Sequence, residues 1–288
     1  MDNFISFQKA RIKRIKQMSF AEFLAKLRAK IAHIFSLKKN LRRIAYSLDT
    51  LSLTFFPDNY QERQEVGAVN FEVKSKRQET GGYFEQPLIV ILNKAVAQLI
   101  DENCKNILEV GSGTGIFASE ASKDKTRKII ASEFNEGARK YAEANRAKDN
   151  ISYCQQSLSE FSQNEFDCVV SIEVIEHIFD YSSFLYQLSS VAPKAIITTP
   201  NKNRNAFDSI VNTPTYGEHC REWTAGEFYW VLRVFFNQVT LYSLPNLDRQ
   251  ISQFLKNPDS YTPSISSVGI LTKEHLLIAK CEEPRSIV

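Results

Sequence analysis

No stretch of this 288-residue chain is apolar for long enough to cross a bilayer as a helix, which takes about 20 residues. The first residues also lack the apolar centre of a secretory signal, so a cytoplasmic protein is expected. No C-x-x-C pair occurs. The five cysteines, Cys104, Cys154, Cys168, Cys220 and Cys281, are scattered, which argues against a zinc ribbon or disulfide framework and for reduced thiols. Internal repeats and low-complexity tracts are missing too, so a solenoid or a solvated tail is not expected. What remains is an ordinary composition, 43% hydrophobic, enough for a core. The length suits one α/β domain with an appendage.

The net charge of +3 hides an asymmetry. Residues 1–43 hold twelve Lys/Arg against Asp2 and Glu22, a local charge of +10, which leaves −7 on the other 245 residues. Phe20, Phe23, Leu24, Leu27, Ile31 and Ile34 fall on one helical stripe there. A basic amphipathic helix of this kind suits an anionic membrane surface, on the inner face of the membrane for a cytoplasmic protein. It also suits, less well, a nucleic-acid backbone. Packing of the stripe on the rest of the protein is the third reading. Residues 1–80 are therefore read as a helical extension and connector, and 81–288 as the main domain. Gly81 and Gly82 mark a hinge, and Tyr83 beside them is a candidate to close a ligand site.

Residues 106–115, Asn-Ile-Leu-Glu-Val-Gly-Ser-Gly-Thr-Gly, are the most telling segment. A short apolar run reaches Glu109, then three alternate glycines, Gly111, Gly113 and Gly115, open onto an apolar helical pattern. A strand that ends in such a turn lets a nucleoside-bearing ligand approach the backbone, because no Cβ stands in the way. The spacing is not G-x-G-x-x-G, and a carboxylate at Glu109 would repel a pyrophosphate. It favours a ligand with an amino or cationic group. The segment resembles motif I of the class I S-adenosylmethionine-dependent methyltransferases, a resemblance that extends over about residues 84–282.

Residues 128–132 read as a second strand with Glu133 at its end, at the separation expected of an acid that accepts from both ribose hydroxyls. A helix follows from Asn135, so an acid serving only that helix N-terminus is the competing reading. Residues 151–154 form a third strand, and the next stretch, with Ser157 and Leu158, is where the resemblance places the adenine. Many relatives carry Asp where this chain has Ser157, so a hydroxyl or backbone N–H is left for that contact.

Residues 166–172 are a near-continuous apolar run, the pattern of a buried parallel strand. Chemistry in open α/β sheets lies beyond the carboxyl ends of the strands, where Glu173, Glu176 and His177 follow. A helical turn begun at Glu173 would set all three on one face. Residues 195–199 are a fifth strand, and the loop after it delivers His219 in His219-Cys220-Arg221-Glu222-Trp223-Thr224. Thr224 and Glu227 form a capping box for a helix over 225–236. The Glu-Val-Ile-Glu-His string resembles both the quinone-biosynthesis O-methyltransferases and the small-RNA 3′-end 2′-O-methyltransferases. The second resemblance implies a divalent metal on Glu173, Glu176, His177 and His219, a mixed donor set suited to Mn²⁺, Fe²⁺ or Co²⁺. Similar strings also occur in small-molecule and surface-glycan methyltransferases, where a metal is not implied. There the resemblance implies that Glu173 and His177 orient substrate and that His219 acts as a base or lines the lid.

Strands at 238–244 and 275–280, with a polar insertion at 245–273 expected as part of a lid, complete the pattern. The implied architecture is a Rossmann-like α/β fold: a seven-stranded, mostly parallel sheet with helices on both faces, plus the basic N-terminal extension. The implied cofactor is S-adenosylmethionine, held by Glu109, Gly111, Gly113, Gly115, Glu133, Ser157, Leu158 and Glu173. The expected activity is O-methylation of a small-molecule, lipid-linked or glycan acceptor, with His177, His219 and Glu173 as the catalytic set and no metal preferred. Two alternatives stay open: metal-dependent methylation of RNA 3′ ends, and a non-catalytic module on the same fold.

Overall fold

The computed structural model describes residues 86–202 and 219–286. The basic helix expected at 1–43, the connector and Tyr83 lie outside the described residues. Eight strands form one sheet: β1 (Asn106–Val110), β2 (Lys128–Ser132), β3 (Ile151–Cys154), β4 (Cys168–Ser171), β5 (Lys194–Pro200), β6 (Phe236–Ser243), β7 (Ser266–Ser267) and β8 (Leu276–Pro284). Their order is β3-β2-β1-β4-β5-β8-β6-β7. The first five run parallel. β8 is antiparallel between β5 and β6. The expected seven-stranded sheet therefore gains an eighth, the two-residue β7, which pairs Ser266 with Ser243 and Ser267 with Tyr242 at the outer edge.

The helices are α1 (Pro87–Leu99), α2 (Ile116–Ala121), α3 (Glu136–Arg146), α4 (Tyr181–Val191), α5 (Ala225–Phe235) and α6 (Leu247–Phe254). Successive strand residues feed opposite faces, as the two-residue repeat of a strand requires. Leu108, Val169 and Ile197 join α4 and α5 in one apolar cluster. Ile107, Val170 and Ile196 join α1, α2 and α6 in the other. Both faces are thus covered, which is why β4 and β5 lack polar alternation.

Local signals set the helix ends. Asn135 Oδ1 accepts from Ala138 N at 2.8 Å and starts α3. The capping box forms: Thr224 Oγ1 accepts from Glu227 N at 3.2 Å, and Glu227 Oε2 from Thr224 N at 2.9 Å. α5 stops one residue short of expectation because Phe236 already belongs to β6. The 245–273 segment, expected as a lid element, instead anchors its helix on α1: Lys94 Nζ donates to the Pro258 carbonyl at 2.7 Å and lies 5.9 Å from the centre of the Phe254 ring. No described helix is long and apolar enough to cross a membrane.

Candidate active site

The glycine loop after β1 takes the conformation its residues allow. Gly111, Gly113 and Gly115 all have positive φ. At Gly111 (φ +71) a Cβ would also lie 2.5 Å from Val174 Cγ2, so glycine is required twice over. The loop is tied to the end of β2. Gly111 N and Ser112 N donate to the Ser132 carbonyl at 2.9 and 3.0 Å, and Gly113 N donates to Glu133 Oε2 at 2.7 Å. Glu133 Oε1 accepts from Asn135 N at 2.7 Å, so the same carboxylate also meets the start of α3. The helix-start contact of Glu133 is thus present, beside its contact with the glycine loop. Four lone-pair sites exist on the two oxygens, so these bonds leave room for further donors.

Glu109 is buried under the loop, and its Oε2 has no hydrogen-bond partner. Burial pushes its carboxyl well above the usual range; the Ala118 N–H opposes this and the Glu133 charge adds to it. Burial raises Glu133 as well, against its bonds from Asn135 and Gly113. Ser112 Oγ, Thr114 Oγ1 and Ser171 Oγ are also buried without partners. Buried polar atoms left unpaired beside a glycine turn suit a polar ligand. The residues present therefore fit a nucleoside with an amino group.

Ser157 is differently engaged. Its N–H and its hydroxyl both donate to Glu160 Oε2, at 2.6 and 2.8 Å, capping the 3₁₀ turn Leu158–Glu160. The adenine-side role expected of its polar groups thus competes with that cap. Leu158 beside it is buried, and Phe134, next to Glu133, is 59% exposed.

The segment after β4 does not begin a helix at Glu173. Glu173 has a left-handed backbone (φ +54), and only Ile175–His177 form a 3₁₀ turn. The reason is a reciprocal clasp with β5. Glu173 N donates to Thr198 Oγ1 at 3.0 Å, and Thr198 Oγ1 donates to Glu173 Oε1 at 2.9 Å. The shared helical face expected for Glu173, Glu176 and His177 is replaced by a sharp turn. Glu176 is buried and accepts from Thr199 Oγ1 at 3.3 Å. Burial, then the charges of Glu173 and Glu222, raise its carboxyl well above the usual range.

The loop after β5 returns onto this turn. Cys220 N and Arg221 N both donate to the Glu176 carbonyl, at 2.7 and 3.2 Å. That contact sets His219 edge-on to His177, with ring centres 4.8 Å apart. Glu176, His177 and His219 each offer an atom within 4.8 Å of the others'. Glu173, the fourth ligand of the metal alternative, is not in that cluster. Sequence reasoning missed Glu222: its Oε1 lies 2.8 Å from His219 Nδ1, and both side chains are buried. Glu222 stands three residues after His219, a spacing with no regular element to betray it. A carboxylate accepts, so an Nδ1–H tautomer of His219 suits this contact.

A family model described as a methyltransferase domain matches residues 78–235, more than half of the chain. The chain belongs to the methyltransferase-domain family. A protein of Mycolicibacterium smegmatis, named a probable S-adenosylmethionine-dependent methyltransferase, is 25% identical over 138 residues, 47% of this chain and 53% of that protein. The ubiquinone biosynthesis O-methyltransferase of Rickettsia canadensis is 32% identical over 124 residues, 41% of this chain and 52% of its own length. The chain thus spans about half the length of these curated relatives. Among solved structures, the plantazolicin methyltransferase BpumL, in complex with a monoazolic desmethylPZN analogue and S-adenosylhomocysteine, superposes with a TM-score of 0.53 at 16% identity, over 79% of this chain and 97% of that one. An S-adenosylmethionine-dependent methyltransferase from Thermotoga maritima gives 0.52 at 14% identity, over 71% and 95%. At such identities the structural likeness establishes the fold. With the family, it makes the domain a class I methyltransferase whose cofactor is S-adenosylmethionine.

Proposed function

We propose that this methyltransferase transfers a methyl group to a hydroxyl of a small-molecule, lipid-linked or glycan acceptor, with His219 as general base. The observation that carries the reading is the buried His219–Glu222 pair, 2.8 Å apart, beyond the carboxyl ends of β4 and β5 and beside His177. S-adenosylmethionine supplies an electrophilic methyl group on a sulfonium. Glu109, Gly111, Gly113, Gly115, Glu133, Leu158 and Glu173 would hold it. Nε2 of His219 takes the acceptor hydroxyl proton, and Glu222 stabilises the imidazolium that results. His177 orients the hydroxyl. Much of the rate would come from fixing the acceptor oxygen in attack geometry, since a direct displacement needs no covalent enzyme intermediate.

The name of the Rickettsia canadensis relative supports an oxygen acceptor. The +10 charge of residues 1–43 supports a peripheral site on an anionic membrane, on its cytoplasmic side. Removing those residues should then abolish binding to anionic liposomes and spare cofactor binding.

A second reading is favoured by one observation, the approach of Glu176, His177 and His219 to within 4.8 Å. A divalent ion held there would engage paired hydroxyls such as those of an RNA 3′ end, and Glu222 would orient His219 as a ligand. Labelled methyl transfer into a host extract, divided into lipid, polysaccharide, small-molecule and RNA pools with and without EDTA, separates the readings. Label that survives EDTA in a non-RNA pool supports the base mechanism. EDTA-sensitive label in RNA replaces it with the metal one.

A further inference from the structure

We propose that Arg221 forms an anion subsite beside the His177–His219 pair, so that the acceptor carries a carboxylate or phosphate beside its reactive hydroxyl. This rests on the hydroxyl-acceptor reading above and narrows its substrate class.

Arg221 is held in place on both its backbone and its side chain. Its N–H donates to the Glu176 carbonyl at 3.2 Å, which ties it to the turn that carries His177. It follows His219 by two residues. Its guanidinium carbon lies 5.3 Å from the Tyr181 ring centre and 5.5 Å from that of Trp223, and those two rings meet edge to face. Aromatic faces attract a guanidinium and fix its plane while leaving its N–H edge free.

That edge is poorly used. Nη1 reaches the Tyr181 hydroxyl at 3.4 Å, a long contact. Among the described residues no carboxylate pairs with Arg221. Among the described residues, the acids that follow it are committed elsewhere, Glu222 to His219 and Glu227 to the cap of α5. Tyr181 stands at the start of α4, four residues after His177, so the clamp flanks the catalytic turn. A planar cation with its freedom already restricted and its donors open suits bidentate recognition of a carboxylate or phosphate.

The full chain, loaded with S-adenosylhomocysteine, is titrated calorimetrically with two matched pairs: catechol against 3,4-dihydroxybenzoate, and glucose against glucose 6-phosphate. The anionic member of at least one pair should bind tenfold or more tightly than its neutral partner. Arg221→Gln should remove that difference, and Arg221→Lys, which keeps the charge and the stem over the rings, should retain it in weakened form. Unchanged S-adenosylhomocysteine affinity in both variants marks them as folded. Preference within the first pair assigns a carboxylate, and within the second a phosphate. Equal binding within both pairs, or a preference that survives Arg221→Gln, overturns the subsite. Because binding is read without methyl transfer, that result leaves the O-methyltransfer reading standing, and failure of the extract assay leaves the subsite to be judged by these titrations alone.

Discussion

Glu222 Oε1 stands 2.8 Å from His219 Nδ1 with both side chains buried, so the contact restrains the rotation of the imidazole. Removing the base should lower kcat by about 10²–10⁴ in His219→Ala. Glu222→Gln keeps an acceptor for Nδ1 without the charge and should cost roughly tenfold, with Glu222→Ala worse. Neither change should move S-adenosylhomocysteine affinity by more than about twofold, since Glu222 turns toward the imidazole. Steady-state kinetics beside cofactor titration check this. Glu222→Ala at full rate would remove the pair from the mechanism.

Chelation tests the neighbouring cluster. If His219 works as a base, dialysis against EDTA should leave the rate unchanged, and Mn²⁺ or Co²⁺ should add nothing. A loss that Mn²⁺ restores would convert Glu176, His177 and His219 into ligands.

Gly111 faces Val174 across the loop. Gly111→Ala should lose about 1–2 kcal/mol from its left-handed backbone alone, which lowers Tm by about 2–8 °C. The new methyl would also meet Val174 Cγ2, 2.5 Å away. Val174→Ala in that background should recover part of the loss. Thermal melts of the two variants decide it, and a double variant no better than Gly111→Ala would show that the contact is not the cause.

Glu109 makes the cofactor-free protein sensitive to pH. Its folded carboxyl titrates well above the 4.5 of an ordinary glutamate, chiefly because it is buried. Between that value and the raised one, the folded state holds a proton that the unfolded chain has released. Stability from this group is therefore full below about 4.5 and falls as pH rises through the window. Glu109→Gln cannot ionise, so its Tm relative to the parent should rise from pH 5 to pH 8. Melting curves without cofactor measure the difference. A gap that stays flat with pH would mean that Glu109 is not held with a raised pKa.

The chain's own pattern determined the glycine loop, the near-continuous apolar runs that bury β4 and β5 on both faces, the caps at Asn135 and Thr224, and the fold that they imply. Those features depend on residues within a few positions of one another, where spacing alone encodes dihedral freedom, face and hydrogen bonding. Tertiary structure decided the rest. The turn at Glu173 is set by Thr198, 25 residues away, whose hydroxyl only β-strand adjacency brings into range. His177 and His219 meet because the Cys220 and Arg221 amides find the Glu176 carbonyl across a gap of more than 40 residues. The clamp on Arg221 likewise needs Tyr181 and Trp223 from two separate segments. Local sequence determines which residues are available at a strand end, whereas their distances and orientations follow from packing the turns after β4 and β5 against each other.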